Sequence, residues 1–176
     1  MSWNDFYARR DIMRDAVHRA AKDSGRLPFA ELDRAEELFG TERQLLLALY
    51  YRWTMLLGGK LRAMAAAPED GHAPELDTDL ADRVSAAWRE TAAEHATLRA
   101  VLDAAIETDT EALRHMLASE QRMLAFAAGL ADPGEPIADA TQVGGSFLAL
   151  IRHAGAVPER GQRARSARRR RLSIAS

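Results

Sequence analysis

The sequence predicts an all-α protein, a single-domain helical bundle of about seven helices. Apolar residues recur at helical spacing through most of the 176 residues. β-branched residues are sparse, and no stretch alternates cleanly between apolar and polar residues as a half-buried strand does. Breaks that contain Gly or Pro separate the helical stretches. A chain of this length is expected to build one hydrophobic core.

Three helices are predicted in the N-terminal part. The first runs from about Trp3 to Asp23, ends at Ser24-Gly25, and carries Trp3, Phe6, Met13, Val17 and Ala20 at helical spacings. Pro28 opens a short second helix, which stops at Gly40. Thr41 is expected to cap a third, central helix, which Gly58-Gly59 would loosen or kink. Its predicted buried stripe comprises Leu46, Leu49, Tyr50, Trp53, Leu57, Leu61 and Met64.

Four more helices are predicted after a polar loop at residues 66–79. The fourth begins near Leu80, the fifth carries Leu98 and Val101, Thr110 can cap the sixth, and the seventh runs from about Ile137 to His153. The chain thus divides into an N-terminal helical part (1–65), a C-terminal core and dimerisation part (66–157) and a basic tail (158–176) that its composition predicts to be disordered.

The net charge of −2 conceals a strong asymmetry. Residues 1–157 contain 17 Lys and Arg against 25 Asp and Glu, whereas residues 158–176 contain seven Arg and one Glu. The body therefore carries about −8 and the tail +6. An acidic body repels nucleic acid as a whole, so any contact with DNA must be local.

The absence of cysteine excludes disulfides, thiolate zinc sites and a cysteine nucleophile. No apolar run approaches the ~20 residues that span a bilayer. The N-terminal sequence MSWNDFYARRD places charge where a signal peptide needs an apolar segment, so we expect a cytoplasmic protein without membrane contact. No cofactor is expected.

Two stretches resemble TetR-type transcriptional regulators. Phe39-Gly40-Thr41-Glu42-Arg43-Gln44-Leu45-Leu46 resembles the aromatic turn and charged segment that open the long fourth helix of that family. Residues 86–104 (AAWRETAAEHATLRAVLDA) resemble its helical C-terminal domain. The resemblance implies an all-helical fold, a homodimer formed by the last two long helices, and an effector pocket in the core.

The resemblance also implies DNA binding, but the chain departs from the family where the reading helix should be. A helix-turn-helix needs two helices, and residues 26–38 leave room for one. That segment contains Glu31, Asp33, Glu36 and Glu37, which are unfavourable beside phosphates. The DNA-binding unit is therefore predicted to be shortened or degenerate. Candidate DNA contacts are Arg26, Arg34 and Arg43, with Arg168, Arg169, Arg170 and Arg171 in the tail.

Met and aromatic residues provide candidates for an effector pocket. Such adaptable side chains can line a small-molecule site, although at helical spacing they also fit an ordinary core. The pocket candidates are Trp53, Met55, Trp88, Met116, Met123 and Phe126. No metal site is predicted. Among the five histidines, only His72 has a Glu three residues before it, and that pair lies in the 66–79 loop. No enzyme is predicted either.

A homodimer is predicted through the last two helices. Small residues beside large apolar ones favour close helix packing after a tight Pro-Gly turn. The interface candidates are Ala140, Gly144, Gly145, Phe147, Leu148 and Ile151. Gly144 and Gly145 lie within an apolar helix, so close packing explains them better than a nucleotide loop does.

The tail leaves three interpretations open. Its arginines could bind nucleic acid or an acidic partner, Ser173 could accept a phosphate from a basophilic kinase, or the segment could be inert and solubilising. For the whole chain, two functions follow: a TetR-like regulator with a possible small-molecule effector and reduced DNA binding, or a helical interaction or adaptor protein that does not bind specific DNA.

Overall fold

The structure, a computed structural model, describes residues 3–22, 27–66 and 80–156 and confirms the predicted all-α class within these ranges. The helices are α1 (Trp3–Ala20), α2 (Ala35–Phe39), α3 (Glu42–Ala66), α4 (Leu80–Glu94), α5 (Ala96–Thr108), α6 (Thr110–Ala127) and α7 (Ile137–Ala156). A 3₁₀ turn at Phe29–Glu31 precedes α2.

The segment before α3 differs from the single short helix that the sequence predicted. The 3₁₀ turn and the five-residue α2 are separated at Arg34, which has a φ of 59°. A residue in this left-handed region cannot continue a right-handed helix, so the helical hydrogen bonding stops there. Helix α1 also ends earlier than predicted, at Ala20, and Ser24-Gly25 lies outside the described residues.

Helix α3 is central, as predicted. It contacts α1, α2, α4, α5 and α6, and it continues through Gly58-Gly59. Its fully buried side chains include Leu45, Tyr50 and Trp53. The hydroxyl of Thr41 accepts a hydrogen bond from the amide of Gln44 at 3.3 Å, which confirms the predicted cap. One hydrophobic cluster draws buried side chains from all seven helices.

The N-terminal end of α1 is exposed, although its apolar residues fall at helical spacings. Trp3 and Phe6 are 79% and 54% exposed, and their rings contact each other and Tyr7. The residues of α1 that are buried are Ile12, Ala16 and Ala20.

Helices α6 and α7 form a closely packed antiparallel hairpin. A β-carbon at Gly144 would overlap the backbone carbonyl of Gln121, so this glycine lets the two helices approach, as its place in an apolar helix predicted. Farther toward the turn, the guanidinium of Arg122 donates to the Thr141 hydroxyl at 3.2 Å. The N-cap of α6 is Asp109 rather than the predicted Thr110, because the Asp109 carboxylate accepts from the amide of Ala112.

Candidate functional site

A partly open cavity of about 470 Å³ lies between the start of α3 and the corner where α5 meets α6. Its walls are mostly apolar, and three of the lining residues are alanines, whose side chains are small. The lining residues are Leu27, Leu46, Val101, Ala104, Ala105, Ala112 and Leu113, with Glu42, Arg43, Thr108 and Asp109 as the polar members.

The polar lining residues are at helix ends and are exposed. Glu42 is in the first turn of α3, where the helix dipole stabilises a carboxylate. Asp109 uses one carboxylate oxygen to cap α6, and the Thr108 hydroxyl donates to the carbonyl of Ala104 at 2.8 Å. The side chains of Glu42 and Arg43 make no ion pair with another described residue, so both can reach a bound molecule. The site combines apolar walls with charged groups that could orient a polar end.

The six predicted pocket residues are not among the described residues that line this cavity. Trp53 and Trp88 are buried in the core, and their rings meet edge to face at 6.0 Å between centroids. Met116 and Met123 are half-buried against the same core. Met55 and Phe126 are 51% and 41% exposed. None of the six lines the cavity between α3, α5 and α6, so the pocket that they were predicted to line stays a prediction.

A buried network of charged and polar side chains lies at the centre of the bundle. The carboxylate of Glu120 on α6 has no exposed surface, and it accepts from the Tyr50 hydroxyl at 2.5 Å and the Trp88 indole at 2.9 Å. Arg99 donates to both Glu120 oxygens at 3.2 Å and, through its other nitrogens, to Asp103. These contacts join α3, α4, α5 and α6.

Helix α7 is tied to the same network by Arg152, which donates to Asp103 at 3.0 Å. Two arginines and two carboxylates balance each other in charge. The guanidinium of Arg99 also lies 5.0 Å from the ring centroid of Trp53, a favourable cation–π distance. The indole N–H of Trp53 is buried and has no hydrogen-bond acceptor among the described residues.

The network raises the pKa values of two of its members, Tyr50 and Arg99. Burial, followed by the charge of Glu120, raises the pKa of Tyr50 far above its ordinary range. Burial acts to lower the pKa of Arg99, but the hydrogen bonds that Arg99 donates to Asp103 and the charges of Glu120 and Asp103 outweigh burial and raise that pKa. Tyr50 is therefore a neutral donor and Arg99 a permanent cation. Because Glu120 is fully enclosed by donors from its own chain, we interpret the network as one that fixes helix positions.

The predicted DNA-contact residues do not form a shared basic face in the described part of the chain. Arg34 makes a two-pronged hydrogen bond with Glu37, at 2.9 and 2.8 Å, and Arg43 lines the cavity. Arg26 and Arg168–Arg171 lie outside the described residues. Helix α2 has only five residues, and its exposed side chains include Glu36 and Glu37.

The predicted dimer-interface residues are used within the chain. Ala140, Phe147, Leu148 and Ile151 are each at most 9% exposed. Gly144 and Gly145 pack against Gln121 of α6. The large apolar residues that α7 leaves exposed are others, namely Ile137, Val143 and Leu150.

In the described ranges, no group of three or more His, Cys, Asp or Glu side chains could hold a metal ion. No helix in the same ranges is long and apolar enough to cross a membrane.

Sequence reasoning missed both the cavity and the buried network. A signal for the network was present, since Glu120 falls at helical spacing with Leu113, Leu117 and Leu124, in the stripe that should be buried. A charged residue in such a register needs a partner of opposite charge. No comparable signal marks the cavity, because alanine is frequent throughout the chain. Comparison with known proteins found no matching family model, no similar curated protein and no similar solved structure.

Proposed function

We propose that this protein is a helical binding protein that takes a small, largely apolar molecule into the cavity between α3, α5 and α6. The observation that carries the proposal is the cavity itself. Its volume of about 470 Å³ lies within the range of ~300–1,000 Å³ typical of small-molecule sites. The seven apolar lining residues favour an apolar ligand body, and Glu42, Arg43 and Asp109 favour a polar group at its exposed end.

The position of the cavity supports an effector role over simple storage. One wall comes from Leu27 and the first turns of α3, and the other comes from α5 and α6. A ligand would contact both walls and would stabilise the arrangement in which they stand together. A molecule that binds one arrangement better than another shifts the population toward it. This suits the small-molecule effector that the sequence resemblance implies.

The length and charge of α2 favour a function that does not depend on DNA reading by this helix. A helix of five residues is about 7.5 Å long, too short to lie along a major groove as a recognition helix does. Its exposed carboxylates oppose phosphate contacts, and Glu37 already neutralises Arg34. We therefore favour ligand or partner binding over site-specific DNA recognition by this segment.

The proposal is tested with N-phenyl-1-naphthylamine, an uncharged apolar fluorophore whose emission rises in apolar sites. Full-length protein is expected to bind it saturably, with one site per chain. Ala104→Phe places a ring in the cavity and should weaken binding by about tenfold or more, equivalent to ~1.4 kcal/mol. The matched control is Ala100→Phe, one turn earlier on α5 at an exposed position outside the lining.

Ala100→Phe should leave the affinity within about twofold of the original protein, since it changes only the outer surface of α5. Thermal melting of both variants checks that each is folded. Equal affinity of the Ala104→Phe variant, the control and the original protein would refute the cavity as the binding site.

A further inference from the structure

We propose that the Arg-rich segment 158–176 binds across the mouth of this cavity in its own chain. The proposal rests on the same cavity as the proposed function, but it does not require that a small molecule binds there. It assigns an occupant to a mouth whose charged lining consists of Glu42, Asp109 and Arg43, and it makes the C-terminal segment a competitor for whatever else enters.

The first support is the place where α7 ends. Helix α7 runs antiparallel to α6, because Gly144 packs on Gln121 and Arg122 reaches Thr141. Helix α6 runs away from its N-cap Asp109, so α7 runs back toward that corner. The ion pair from Arg152 to Asp103 places the last turns of α7 beside the second half of α5. The chain therefore leaves α7 at the end of the bundle where the cavity opens.

The second support is complementary charge. Segment 158–176 contains seven arginines and one glutamate. The end of the bundle that it leaves exposes Glu42, Glu107, Asp109 and Glu111. Glu111 is paired with Arg114, whereas Glu42 and Glu107 have no ion-pair partner among the described residues. Arginine is well suited to such carboxylates because its guanidinium can donate two parallel hydrogen bonds.

The third support is that segment 158–176 is long enough to reach the cavity and contains apolar as well as basic side chains. The twenty residues from 157 to 176 extend to about 65 Å, more than twice the ~27 Å length of α6. Attachment to the same chain gives the segment an effective concentration in the millimolar range. Leu172 and Ile174 directly follow the four consecutive arginines. They provide apolar groups for the walls while Arg168–Arg171 contact the rim.

The test uses the full chain with one reporter. The sequence has no cysteine, so Ala175→Cys provides a single site for a nitroxide spin label. We expect the label to broaden the amide NMR signals of residues 104–113 relative to a diamagnetic label. High salt should reduce the broadening, because the attraction is between exposed charges.

Two double variants make the charge argument specific. Glu42→Gln with Glu107→Gln removes two carboxylates that have no ion-pair partner in the described ranges and should reduce the broadening. Glu135→Gln with Asp139→Asn removes the same charge at the opposite end of the hairpin and should leave it unchanged. The proposal is overturned by an absence of broadening at residues 104–113, or by equal effects of the two double variants.

The outcome is separable from that of the fluorophore experiment. If the label broadens residues 104–113 but the fluorophore does not bind at the cavity even at high salt, where the segment is released, the proposed function fails and the segment's binding site stands. If the fluorophore binds as expected and residues 104–113 keep their line widths, the segment proposal fails and the proposed function stands.

Discussion

At the scale of single residues, the buried carboxylate of Glu120 requires specific partners from the rest of the fold. A carboxylate with no exposed surface is costly unless its oxygens are hydrogen-bonded and its charge is balanced. Tyr50, Trp88 and Arg99 meet both conditions from three different helices. Any change that removes one donor leaves the charge buried, so its effect should exceed that of an ordinary surface hydrogen bond.

Tyr50→Phe tests this demand with a minimal change. Removing the hydroxyl takes away one donor to a buried charge, and we expect the free energy of unfolding to fall by about 1.5–3 kcal/mol. Tyr51→Phe is the matched control, because its neighbouring ring is 61% exposed and should show no measurable change. Urea denaturation followed by circular dichroism measures both. Equal stability of the two variants would contradict the role given to the Tyr50 hydroxyl.

The raised pKa of Tyr50 also predicts how stability depends on pH. Burial and the charge of Glu120 keep the proton on folded Tyr50, whereas the unfolded chain loses it near the ordinary value of 10.0. The contribution of Tyr50 is therefore fully present below pH 10 and is lost as the pH rises, since the unfolded state then binds fewer protons. Denaturation at several pH values from about 8 to 11 should show a steeper loss in the original protein than in Tyr50→Phe. Identical slopes would count against this assignment.

At the scale of helices, two glycines predict opposite results for the same substitution. Gly144→Ala would push a methyl group into the Gln121 carbonyl and should destabilise the protein by about 1–3 kcal/mol, as overpacking does. Gly59→Ala meets nothing within 4 Å and should stabilise α3 by roughly 0.5–1 kcal/mol. We expect Gly144→Ala to melt below the original protein and Gly59→Ala to melt above it. Shifts of both melting temperatures in the same direction would contradict the packing of α6 on α7.

Helices and caps that are determined by the nearby sequence could be predicted, whereas features that depend on distant packing partners could not. Helices α3 and α7 follow from long apolar periodicity, and the Thr41 cap follows from its residue type. The break at Arg34 could not be predicted, because a positive φ at an arginine has no signal in residue type. The exposure of Trp3 and Phe6 was also missed, since periodicity alone does not show whether a partner helix reaches that end of α1.

At the scale of the whole molecule, the site depends on helix arrangement more than on sequence motif. The cavity is lined by Ala104, Ala105 and Ala112 from α5 and α6 together with Leu46 from α3, a combination that no local sequence pattern encodes. The pocket predicted from Met and aromatic residues does not coincide with this cavity and stays a prediction. Homodimerisation stays a prediction, and its expected α7 residues are committed to packing inside the chain.

We propose that the cavity between α3, α5 and α6 binds a small apolar molecule. Methyl NMR spectra of full-length protein, recorded as N-phenyl-1-naphthylamine is added, test it most directly because they locate the probe. We expect shifts for the lining methyls of Leu46, Val101 and Leu113. Shifts confined to the exposed apolar residues Leu130, Ile137 and Leu150, with the lining methyls unmoved, would contradict it.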